Sequence, residues 1–149
     1  MNSTPRRLIE SRDGSTAVEF ALLAPMLLLL LAGLIDVSRL ISQTMQVRAA
    51  AQAGADWAQR HGWNAAGVQS AVASATALSS VSATPAPTQV RACVSGGKLV
   101  ETTAGECAAG VPSGEFVKVA AQAPFQGILP WPGIVLPETL AASAMVRVR

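Results

Sequence analysis

The sequence predicts an α+β chain: a long N-terminal helix, a second short helix and a small antiparallel sheet at the C-terminus. Three observations carry this reading. Sixteen uncharged residues, Phe20 to Ile35, run without a strong breaker other than Pro25 into an alanine-rich stretch that reaches Trp57. Val68, Val72, Ala75 and Leu78 recur at the three-to-four-residue spacing of one helix face. Beyond Thr88 the pattern changes to alternation, punctuated by Gly96-Gly97.

The long helix is expected from Ser15 to about His61-Gly62, some 45 residues, with its first half in lipid. The uncharged run would rise about 24 Å, and its flanks complete a hydrocarbon layer of about 30 Å. Arg6, Arg7 and Arg12 precede it, which places the N-terminus in the cytoplasm and everything after Asp36 outside. Pro25 removes one helical hydrogen bond, a loss that membrane helices tolerate or use as a kink. Asp36 and Arg39 stand three apart and share a face. Ala17, Ala21, Ala24, Ala32 and Gly33 offer close-approach surfaces. A secretory signal peptide cut near Ala32-Gly33 is the alternative, and it leaves an acidic residue, Glu19, at the membrane entrance unexplained.

Asn64 is a plausible cap for a helix over 65–78 that packs on the first. Ser79 to Pro87 then reads as a linker. Gln89–Ser95, Gly96-Gly97 and Lys98–Thr102 form a hairpin pattern with a two-residue turn. Phe116–Ala123 gives a further strand, with Val117, Val119 and Ala121 on one face; Leu140–Arg149 gives another, with Ala142, Ala144, Val146 and Val148 inward. Pro124 to Pro137 is apolar and too proline-rich for a regular element. It is read as a lid over the protein's own core, with a membrane-surface or subunit contact through Trp131 as the rival.

Cys93 and Cys107 both fall outside the membrane, where an even count reads as one disulfide; two unpaired thiols are the alternative. With the single His61 they cannot complete a zinc shell, so no metal is expected. Net charge is +2 and 13% of residues are charged, with no basic stripe interleaved with aromatics, which argues against nucleic acid. One His and no paired carboxylates give no catalytic constellation, and Gly96-Gly97 lacks the Lys-Ser/Thr of a phosphate loop. His61 reads as a helix-end residue and Asp56–Arg60 as an exposed helix pair, while Trp57 and Trp63 are expected between helices and sheet. Neither a cofactor nor a small-molecule substrate is expected.

The remaining feature is Glu19, an acidic side chain at the mouth of an apolar helix. Insertion scales charge about 2.5–3.5 kcal/mol for such a group at the bilayer centre and less near the edge. A chain needing only an anchor would carry another Leu there. If it were cut after Gly14, Ser15 would supply an ammonium and Glu19 would be the fifth residue of the new chain. Gly14, Val18-Glu19-Phe20-Ala21, Pro25, Gly33, Asp36 and Arg39 stand in the order of a known signature. The segment Gly14–Arg39 resembles the N-terminus of TadE-like proteins, minor pseudopilins of tight-adherence (Flp) pilus systems.

The resemblance implies processing at Gly14, Ser15, Glu19 and Phe20 by a prepilin peptidase. It implies as partners other pilins or pseudopilins, inner-membrane pilus assembly proteins and the lipid bilayer. It divides the chain into a cytoplasmic leader (1–14), a transmembrane segment (15–41), a periplasmic helical region (42–80) and a periplasmic β-rich region (81–149). Phe20, where major Flp pilins typically carry Tyr, and the greater length favour a minor component over the main fibre subunit. The competing classes are an uncleaved, signal-anchored periplasmic binding module and, more remotely, an anchored hydrolase.

Overall fold

The computed structural model describes residues 13–131 and 133–148. The chain divides into two units, Met1–Val37 and Ser38–Arg149. Helix α1 (Asp13–His61) is 49 residues long and continuous through Pro25, whose missing N–H leaves the Ala21 carbonyl without its usual helical donor. It ends where the sequence indicates. Gly62 adopts φ 78°, a left-handed conformation that glycine enters without steric cost, and its N–H donates to the Ala58 carbonyl at 2.8 Å.

In the first unit each large apolar side chain from Val18 to Val37 is 50–75% exposed. Asp36, at its end, is buried.

The second unit has a conventional core. Val47, Ala50, Ala51, Ala55 and Ala58 of α1 form a buried stripe at helical spacing. Against it pack Val68 and Val72 of α2 (Ala65–Ser74) and a four-stranded sheet. The strands are β1 (Thr88–Ser95), β2 (Lys98–Thr102), β3 (Gly114–Pro124) and β4 (Thr139–Arg147). All pairings are antiparallel, in the order β2-β1-β3-β4. Val117, Val119, Ala121 and Ala123 of β3 alternate into the core, as the sequence pattern predicts. From β4, Leu140 is buried, while Ala142, Ala144 and Val146 pack partly against the same cluster.

Small residues let three elements converge. A Cβ added to Gly54 would come within 2.6 Å of Val72 Cγ2 and 2.9 Å of Val119 Cγ1, so a hydrogen at this position is what admits both α2 and β3 to the helix. Gly67 plays the matching part on α2, where any side chain would overlap the Trp57 indole. Asn64 caps α2 by accepting from Gly67 N–H at 3.1 Å. The helix stops at Ser74, short of the expected Leu78. In its last turn the Ser74 hydroxyl donates to the Ser70 carbonyl at 2.8 Å. Leu78 still packs against the core, from irregular chain.

The β1–β2 hairpin stands off this core. Ser95 pairs with Lys98 across Gly96 (φ 57°) and Gly97 (φ 76°), the two positive values of a type I′ turn. Val94, Leu99 and Val100 are 47–74% exposed. Cys93 and Cys107 are joined, with Cα atoms 5.7 Å apart, so the hairpin is tied to the loop that leads into β3.

The segment between β3 and β4 departs from the expected lid. Its two ends are seated, Phe125 in the core and Leu136 against it, but Ile128, Ile134 and Val135 between them are 53%, 60% and 96% exposed.

Candidate functional site

The residues singled out for processing lie at the start of α1. Gly14 and Ser15 fall in its first turn, where backbone N–H groups have no partner within the helix. Glu19 follows about one turn later and is exposed, with Phe20 beside it at 67% exposure.

Beyond Glu19 the helix is uncharged as far as Ile35. An 18-residue window of the helix has mean hydropathy 2.4 and none of it is buried within the protein. By length and composition this helix can cross a membrane. A stripe of leucines on one face would fit a soluble core; exposure all round fits lipid or the helices of other chains.

Among the described residues no group of three or more His, Cys, Asp and Glu is placed to hold a metal. The ring of His61 stacks on Trp57 at 4.7 Å with an interplanar angle of 19°, and its Nδ1 lies 3.1 Å from the Trp57 carbonyl. A shallow cleft brings His61 near Asp56, Ser70 and Ser74. Among the described residues no hydrogen bond joins His61 to any of them, and the Ser74 hydroxyl is turned to its own helix. Nothing here activates a nucleophile.

Trp57 packs on Gly67 of α2 and against the core cluster that β3 joins. The expectation for Trp63 needs correction. Trp63 is 39% exposed, because the left-handed Gly62 turns the chain away from the core before it. Of the exposed charges, Lys118 and Glu101 pair across the sheet at 3.1 Å with both side chains about half exposed, a contact of small energetic weight. The close fit at Gly54 was not legible in the sequence, since the strand and helix it admits are distant in the chain. The exposed tip of the β3–β4 loop was likewise invisible, although its uncharged composition was the available signal.

The class defined by these features is an α+β protein whose long N-terminal helix begins with a segment apolar and long enough to cross a membrane and ends packed on an antiparallel sheet. Comparison with known families finds a likeness over part of the chain: residues 14–56 match the family model for TadE-like protein. Over that stretch the chain is similar to TadE-like proteins, and the match takes in Gly14, Ser15, Glu19 and Phe20 together with the buried stripe as far as Asp56. The family is associated with tight-adherence pili. No curated protein and no solved structure matches the chain.

Proposed function

We propose that this protein is a TadE-like minor pseudopilin that assists assembly of tight-adherence (Flp-type) pili for surface attachment. The observation that carries the reading is the exposure of every large apolar side chain from Val18 to Val37, interrupted near its start by the charge of Glu19, within the segment that matches the family. In this reading residues 1–14 are a cytoplasmic leader, 15–41 cross the inner membrane, and 42–149 stand in the periplasm. The basic residues Arg6, Arg7 and Arg12 favour that orientation. An oxidising compartment would also maintain the Cys93–Cys107 bond.

A prepilin peptidase cuts between Gly14 and Ser15. Gly14 presents no side chain to the cleft, so backbone can enter it closely. The new Ser15 ammonium then meets a carboxylate, Glu19 of its own or a neighbouring chain. Each charge alone is costly in lipid, whereas together they set the depth at which a subunit joins its neighbours. The partners are other pilins or pseudopilins and the inner-membrane assembly proteins, and no cofactor takes part.

The test is the N-terminus of the membrane-extracted protein, by mass spectrometry, in cells with and without the cognate prepilin peptidase. A peptidase-dependent start at Ser15 is expected. An intact Met1 in both strains would overturn processing and leave a signal-anchored module. A start near Leu34 would mean a secreted protein and would overturn the anchor as well.

A further inference from the structure

The two outer strands of the sheet are unlike. Among the described residues no strand pairs with the far side of β4 or of β2. β2 is five residues long and carries Lys98 and Glu101. β4 is nine residues long, and from Leu140 to Val146 it has no charge, proline or glycine. Shortness, charge and proline are the usual means of keeping an edge from pairing, and β4 uses none of them over that length. A row of outward N–H and C=O groups fits one kind of occupant, another extended backbone.

The register tells which groups face outward. Phe125 N–H donates to the Glu138 carbonyl and Val148 N–H to the Glu115 carbonyl, both at 2.9 Å. These bonds continue the unbroken β3–β4 ladder at either end, so even-numbered residues of β4 turn their backbone groups to β3. Ala141, Ser143 and Met145 turn theirs outward. Their side chains point away from α1, since Ala142, Ala144 and Val146 are the ones packed on the core. On β2, Ser95 and Lys98 close the two-residue turn, which leaves the outward groups to Leu99 and Glu101. Thr102 pairs with Arg91 and Arg91 with Glu115, which shares a face with the core residue Val117. Leu99 and Glu101 therefore also point away from α1. The pleats of the two edges match.

Direction matches too. Four strands of alternating sense leave β2 antiparallel to β4. A copy of the chain in unchanged orientation thus brings its β2 antiparallel against β4. Pairing Ser143 with Leu99 of that copy, and Ala141 with its Glu101, gives one continuous sheet with both α1 helices on the same side. Val100 of that copy, 51% exposed, then covers the groove that Arg48, Gln52, Ala55 and Asp56 form with β4. Its Lys98 falls opposite Ala144. Ala144 pairs with Val119, which meets α1 at Gly54, two positions from the carboxylate of Asp56. The rival is β4 against β4 of a reversed copy, which satisfies the same backbone groups but turns α1 end for end. Ser38 to His61 rise about 36 Å as helix, so the two Ser38 residues would stand at opposite ends of the pair. Both chains could not then enter one bilayer through Val37.

We propose that copies of this chain join edge to edge, β4 of one pairing antiparallel with β2 of the next and Lys98 of the next copy beside Asp56. The proposal rests on the anchor reading above, which gives the copies a shared polarity. Because the two edges differ, the contact does not close as a two-fold dimer, and each end of a row keeps an edge for a further copy.

The test uses the full chain reconstituted in phosphatidylcholine vesicles as an equal mixture of ordinary and nitrogen-15-labelled copies, with Ser143→benzoylphenylalanine as a photo-cross-linker. Mass spectrometry is expected to find residue 143 of one isotopic form joined to residues 98–102 of the other. Asp56→Lys should lower that yield several-fold, and adding Lys98→Asp should restore it. Cross-links to residues 139–147 of the other copy would overturn the proposal in favour of the reversed pair. So would the absence of cross-links between copies at high protein-to-lipid ratio, with circular dichroism unchanged. A yield indifferent to Asp56→Lys would overturn the Lys98 contact. Alkaline carbonate extraction of the same vesicles reads the anchor separately. A chain that stays embedded without cross-links sinks only the edge pairing, while a chain that extracts sinks the anchor and the shared polarity with it.

Discussion

Helix α1 carries two apolar surfaces of opposite character. From Val18 to Val37 the side chains are mostly Leu and stay exposed, whereas from Val47 to Ala58 they are mostly Ala and are buried. Apolarity alone would rank them the other way round, since leucine gains more than alanine on leaving water. Size explains the inversion. A sheet and a second helix approach α1 closely only over alanine and glycine, as the room at Gly54 shows. Large side chains leave no such groove and suit a fluid surface that moulds around them.

This contrast can be broken from either side. The largest effect is expected for Leu28→Asp, which puts a charge in the middle of the exposed run at a cost of about 3 kcal/mol to insertion. The carbonate-resistant fraction should fall sharply while the second unit keeps its circular dichroism. Next comes Ala51→Leu, a leucine where the stripe admits none. Overpacking of this kind costs about 1–3 kcal/mol and should lower the denaturant midpoint without affecting membrane retention. Gly54→Ala sharpens the argument, because better helix propensity, about 1 kcal/mol, opposes the overlap with Val72 and Val119. A net loss of stability in urea is expected, and a gain would mean that the neighbours yield easily. Asn64→Ala should cost about 1 kcal/mol by removing the cap that holds α2 over the stripe. The smallest change is Leu28→Ala, worth a few tenths of a kcal/mol in insertion and nothing in urea.

The features legible in the sequence were those set by near neighbours. The extent of α1, the cap at Asn64, the paired glycines of the hairpin and the alternation of β3 and β4 all follow from residues within a few positions of one another. Of the candidate site, the same holds for the apolar run and the Glu19 junction. The end of α2 was misplaced because nothing between Ser74 and Leu78 forbids helix. The strand order was not legible, since β3 takes both β1 and β4 as partners across long loops. The fit at Gly54 and Gly67 was hidden for the same reason. The Pro124–Pro137 segment shows the limit most plainly: its composition gave apolar content, but which side chains point outward depends on a neck closed by Phe125 and Glu138.

The bond between Cys93 and Cys107 changes what a cut in the hairpin would do. Lys98 follows the Gly96-Gly97 turn and lies between the two joined cysteines. Trypsin cleavage there would open the covalent chain without liberating a fragment, since the two pieces remain linked through sulfur. The clipped molecule would keep its mass, apart from one added water, and would divide in two on a gel only after a reductant is added.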